Sequence, residues 1–147
     1  MCILHAHCHM AEKMVQQLLI AGMRKHPSGQ QLDKFVANVE TCMNETILCR
    51  VTASVSKGWM FLLKDRKLDD VNLSNKRAHT VTKNLTNLVE VCTAKYDVEY
   101  WNKWTTVCSQ FLTVTEWLDL KIIFKFEEVC NFQKDADLFC STYFDIT

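Results

Sequence analysis

The chain has 147 residues, 48% of them hydrophobic and 23% charged, which is material for one globular domain with one core. Lys and Arg number 17 and Asp and Glu also number 17, so the positive footprint of a nucleic-acid binder is missing. Three glycines (Gly22, Gly29, Gly58) and one proline (Pro27) are too few for the tight turns of a sandwich or barrel. The same scarcity leaves no GxGxxG, GxxxxGKS/T or GxSxG, which argues against phosphate-cradling and nucleophile-elbow chemistry.

In chain order, the N-terminal MCILHAHCHM lacks the basic start and apolar run of a signal peptide. Cys2, His5 and His9 would share a stripe on a helix, with His7 and Cys8 nearby. No further ligand follows at regular spacing, so a frayed terminus is expected here and no metal or cofactor. From Met10 to Met23, Met14, Val15, Leu18, Leu19 and Gly22 mark one helix face. HPSG breaks it, and Ser28 with Gln31 has capping-box spacing ahead of Leu32, Phe35, Val36, Val39, Met43 and Ile47 at helical intervals. Val51, Val55, Trp59, Leu62 and Leu63 continue that period with Gly58 weakening it, and Lys64 to Arg77 reads as an exposed connection. A helix restarts at Thr80 or its neighbours, carries Val81, Leu85, Leu88, Val89 and Cys92, and ends near Tyr96.

Asp97 then has the chemistry of an N-cap, with Glu99 adding negative charge at the positive end of the next helix. That helix is the most apolar. Trp101, Trp104, Thr105, Cys108, Phe111, Leu112 and Thr115 recur at threes and fours, and Val107 and Val114 widen the stripe, so neighbours are expected around it. Its first turn is interrupted by Asn102-Lys103, which places a cation at the surface. Leu118, Leu120, Ile122, Phe124 and Phe126 alternate with Asp119, Lys121, Ile123, Lys125 and Glu127 in a strand-like way. A lone strand has no pairing partner, so a helix from about Glu116 to Phe132 is expected. Asp135 or Asp137 then starts a short last helix carrying Leu138, Phe139 and Phe144.

Charge is uneven along the chain, with seven basic against three acidic residues from Lys57 to Lys83 and five acidic against one basic from Glu127 to Thr147. A solvated face explains this, and steering of a charged partner is the sharper alternative. The eight cysteines form no CxxC pair, and Cys92, Cys108 and Cys140 fall on apolar stripes, so reduced thiols are expected. Asn44, Asn72 and Asn84 stand in N-x-S/T triplets that mean nothing without secretion. Cys92 or Cys108 with His79 and Asp97 are the raw materials for catalysis. No motif arranges them, so no enzyme is expected. No run of 18 apolar residues offers a membrane span.

Asp97, Trp101, Asn102 and Lys103 resemble the first homology motif of the Bcl-2 family, Asp-Gly-x-Asn-Trp-Gly-Arg, which bridges that family's fourth and fifth helices. The flanks LVEVCTAKY and TTVCSQF agree with it, and the outline from Met10 to Phe144 is similar to the short virus-encoded members without a tail anchor. The chain departs from the motif where Tyr100 replaces Asn, Asn102 replaces Gly and Lys103 replaces Arg; lysine keeps the charge but not the bidentate fork. In the second helix Val36 stands where a ligand-type motif has Leu, and Glu40-Thr41 where it has Gly-Asp, so the resemblance implies a receptor. A second homology motif is absent, with Asn131 to Phe139 the nearest stretch.

The resemblance implies an all-α, single-domain bundle over residues 1–147, of about seven helices around a central apolar one. It implies an apoptosis inhibitor in the host cytoplasm or at the mitochondrial periphery, which captures the amphipathic death-motif helix of pro-apoptotic proteins in an apolar groove. Val39, Met43, Leu85, Leu88 and Val89 would form its greasy walls, Lys103 would answer the ligand's Asp, and Asn102 would lie at the closest approach. The alternatives are the same fold binding innate-signalling adaptors, with homodimerisation, and a secreted helical cytokine-like protein bridged by its cysteines.

Overall fold

A computed structural model describes residues 3–26, 29–43, 75–119 and 126–147, and every regular element among them is an α-helix. These helices are α1 (Ile3–Lys25), α2 (Gly29–Cys42), α3 (Asn75–Cys92), α4 (Val98–Asp119) and α5 (Phe126–Ile146). The expected all-α class holds, and five helices lie in the described residues where about seven are expected for the whole chain. The apolar positions from Val51 to Leu63, most of the Lys64–Arg77 connection, and Ser28, Ile47, Asn44, Asn72, Cys2 and Cys49 lie outside the described residues. No helix among those described is long and apolar enough to cross a membrane.

The chain resolves into two compact units, Met1–Asp97 and Val98–Thr147. In the first, α1 packs most extensively on α3, and α2 lies on α3 and more lightly on α1. The heptad-like spacings explain this, because Met14, Val15, Leu18 and Leu19 of α1, Phe35, Val36 and Val39 of α2, and Val81, Leu85, Leu88 and Val89 of α3 are all buried. α1 begins at Ile3 rather than Met10, so the frayed terminus expected there is corrected. His7 is buried and its Nε2 lies 2.9 Å from the Thr82 hydroxyl, while the rings of His7 and His79 are tilted against each other with centres 4.5 Å apart. Thr82 donates its own proton to the Ala78 carbonyl at 2.7 Å, so its oxygen accepts from His7. That bond and the ring contact fasten the first turns of α1 to α3.

The turn from α1 to α2 is built on close approach. Gly22 has no Cβ because one there would overlap the ring of Phe35, which also stacks on His26 at 4.8 Å. His26 Nδ1 donates to the Gly22 carbonyl at 2.8 Å and so caps the last turn of α1. Gly29 opens α2 at φ 63°, a left-handed conformation that glycine adopts without steric cost. α3 starts at Asn75, ahead of the expected Thr80, and ends at Cys92. A turn follows, in which Thr93 bonds the Val89 carbonyl through its backbone N–H at 2.9 Å and its hydroxyl at 2.7 Å. The Tyr96 hydroxyl then donates to the Ala21 carbonyl at 2.7 Å beneath Lys25, whose Nζ lies 4.8 Å from the ring centre.

In the second unit α4 packs on α5. Trp104, Val107, Cys108, Phe111, Val114 and Thr115 are buried, and Asn102, Lys103, Thr106, Ser109, Thr113 and Glu116 on the opposite side are exposed. α4 is therefore two-faced, and Trp101 stands 37% exposed at the margin of the stripe it was expected to join. Phe111 stacks on Phe139 at 5.3 Å, and the Trp117 indole N–H donates to Asp135 Oδ2 at 2.9 Å with Phe132 edge-on to its ring at 6.5 Å. The separate helix expected from Glu116 to Phe132 is not described as one element: Glu116–Asp119 close α4, Phe126–Phe132 open α5, and residues 120–125 lie outside the described residues. The separate last helix starting at Asp135 or Asp137 is corrected, because α5 runs unbroken to Ile146. Asp135 spends its carboxylate on Trp117 and Asp137 accepts from Gln133 at 2.8 Å, so these side chains bond across and along the helix instead of starting it.

Candidate functional site

Residues expected to form a groove fall into two groups. Val39, Met43, Leu85, Leu88 and Val89 belong to the first unit, on α2, just beyond its end, and on α3. All five are at most 2% exposed, so in this state they are interior packing that holds α2 on α3. Asn102 and Lys103 belong to the second unit, in the opening turns of α4, and both are exposed. The Asn102 carbonyl accepts the hydroxyls of Thr105 and Thr106, each at 2.9 Å. Lys103 Nζ lies 3.9 Å from Glu99 Oε1, at the outer limit of an ion pair, and its side chain is 56% exposed. Such a pair is screened by solvent and holds the ammonium only loosely.

Asp97 sits one residue before α4, where an N-cap belongs, and Glu99 lies in the first turn as its charge suggests. Val98 and Trp101 add exposed apolar surface to the same turn, at 71% and 37%. The opening of α4 thus presents an indole, an amide and an ammonium to solvent.

Burial raises the Cys92 thiol far above its ordinary range, with Cys42 adding to the effect, and pushes the Cys108 thiol up to about 12. Both are protonated at neutral pH and are poor nucleophiles as they stand. The six described cysteines, Cys8, Cys42, Cys92, Cys108, Cys130 and Cys140, are all free. Among the described residues no three His, Cys, Asp or Glu side chains are placed to hold a metal ion, and His9 instead faces Glu12 at 3.5 Å. Asn84 Nδ2 donates to the Thr80 carbonyl at 2.9 Å within α3, a helical setting unlike a glycan-bearing loop.

The feature that sequence reasoning missed is a pocket of about 360 Å³ in the first unit, lined by Asn38, Thr41 and Cys42 of α2 and Asn87, Glu90, Val91 and Ala94 of α3 and its following turn. Its signal lay in the polar residues flanking the two apolar stripes. Asn38, Thr41 and Cys42 are spaced i, i+3, i+4, and Asn87, Glu90, Val91 and Ala94 i, i+3, i+4, i+7, each a ridge on one helix.

No protein-family model matches the chain, and neither a curated protein nor a solved structure matches it.

Proposed function

We propose that the protein is a non-enzymatic receptor for an amphipathic helix, acting as a Bcl-2-like inhibitor of apoptosis that sequesters the death-motif helix of pro-apoptotic partners. The observation that carries this reading is the setting of the Asp97-Trp101-Asn102-Lys103 motif. It falls at a helix junction, with its aspartate just ahead of α4 and its lysine more than half exposed in the opening turns. In the family it resembles, the motif bridges two helices in the same way and supplies the cation that answers the ligand's aspartate. Lys103 serves that role as a point charge, and Asn102 in place of glycine narrows the approach of the ligand backbone. The apolar anchors of the ligand would be met by the α2–α3 layer, whose Val39, Met43, Leu85, Leu88 and Val89 are closed in the present state. Capture therefore requires α2 and α3 to part, at the cost of their own contacts. The protein acts in the cytoplasm of a host cell on this reading.

Titration of the purified protein with a panel of pro-apoptotic helix peptides, read by calorimetry, tests the proposal. Binding of at least one peptide is expected, with Lys103→Glu weakening it by about tenfold or more through like-charge repulsion at unchanged helicity. Failure of every peptide to bind removes the function, and equal affinity of the variant removes Lys103 from it.

A further inference from the structure

The pocket between α2 and α3 has a chemistry of its own. Its floor is Cys42, 8% exposed, and its rim is set by the exposed Asn38, Thr41, Glu90 and Ala94, with Asn87 and Val91 half-buried between. Among the described residues Glu90 makes no ion pair and no cationic side chain lines the pocket. A carboxylate is therefore presented beside two carboxamides and a hydroxyl, over a strip made of Cys42 and Val91 with Ala94 at its edge. Carboxamide oxygens and a carboxylate accept hydrogen bonds, and the strip is apolar.

We propose that this pocket receives an arginine side chain presented by a protein partner. A guanidinium carries five N–H donors in a plane and one positive charge, so it can pair with Glu90 through two of them and bond the amide oxygens of Asn38 and Asn87 with the rest. Its three-carbon stem lies on the apolar strip. Lysine has the charge but lacks the planar fork that reaches three acceptors at once. A side chain delivered by a protein suits the site better than a free metabolite. The ridge from Asn87 to Ala94 runs about 10 Å along the end of α3 and into the following turn with an exposed rim, which leaves a small ligand largely wet but lets a partner's surface seal it.

The inference does not use Lys103 or the buried α2–α3 walls, so it stands or falls separately from the helix-capture reading. Its test is a titration of the full-length, nitrogen-15-labelled protein by NMR. The probes are a capped alanine- and glutamine-based helical peptide carrying one arginine, the same peptide with citrulline, and free arginine. The arginine peptide is expected to shift the amides of Asn38–Cys42 and Asn87–Ala94, and Glu90→Gln to weaken it by about fivefold. A Glu116→Gln control, on the exposed side of α4, should leave it unchanged. Citrulline keeps the planar shape but loses the charge and two of the five N–H donors, with an acceptor oxygen in their place, and should shift these amides little. Equal shifts with citrulline, shifts confined to other residues, no shifts at all, or undiminished binding by Glu90→Gln would overturn the proposal. Free arginine binding as tightly as the peptide would replace the protein partner by a small-molecule cation and overturn it as well.

Discussion

At Gly22 a single methyl group decides how near α2 can come to α1. Phe35 is 1% exposed, its outer ring edge lies where a Cβ at position 22 would go, and the His26 ring is stacked on its face, which restricts its retreat. Overpacking of this kind costs about 1–3 kcal/mol, and the better helix propensity of alanine returns about 1 kcal/mol. Gly22→Ala should therefore lose about 1 kcal/mol of stability in urea unfolding, and the loss should shrink in a Phe35→Leu background where the ring is gone. Of this arrangement the sequence showed only half. Met14, Val15, Leu18, Leu19 and Gly22 share one face by spacing alone, but a missing side chain carries no sign of what fills its place. His7 is the same lesson reversed: a histidine near a chain end has the composition of a loose terminus, and only the Thr82 hydroxyl on a distant helix explains its burial.

Between elements, the Trp117–Asp135 bond accounts for an aspartate that lies inside α5 and does not start a helix. An aspartate after a gap in apolar residues reads as a cap, since capping is a local chemistry visible in sequence. A bond to an indole 18 positions earlier is a tertiary event and is not visible there. A double-mutant cycle with Trp117→Phe and Asp135→Ala should return a coupling of about 1 kcal/mol, as for a half-buried hydrogen bond with a charged acceptor. A coupling near zero would mean the pair does not hold α4 to α5. The opposite case is the start of α4, where Asp97, Glu99 and the break after Cys92 were sufficient locally to set the boundary. The pocket on α2 and α3 was illegible for a different reason. Helical spacing reveals which residues share a ridge, but not that two polar ridges come to face one another across a gap.

For the whole molecule, stability should depend on pH through groups far from the surface. The Cys108 thiol is held up to about 12 by burial, Cys92 is raised in the same way, and both ionise near 9.0 when unfolded. Their folded values lie above their unfolded ones, so their contribution is complete below about pH 9 and is lost as pH climbs toward the folded values. Each thiol takes away about 1.4 kcal/mol per pH unit over that interval, because unfolding there releases its proton. Denaturant unfolding at stepwise alkaline pH should show the decline, and Cys108→Ala should have a shallower slope than the parent. A parallel decline in the variant would mean that Cys108 is solvated in the native protein.

These two shielded sulfurs also belong to different units, Cys92 to the first and Cys108 to the second. The polypeptide thereby carries an intrinsic clock for each half, needing no attached dye. In a pulse of iodoacetamide read by peptide mass mapping, the exposed Cys130 and Cys140 should be tagged at once, and the two hidden sulfurs only as fast as their halves breathe. Matching rates would describe one cooperative body, and a lag between them would give the order in which the halves let go.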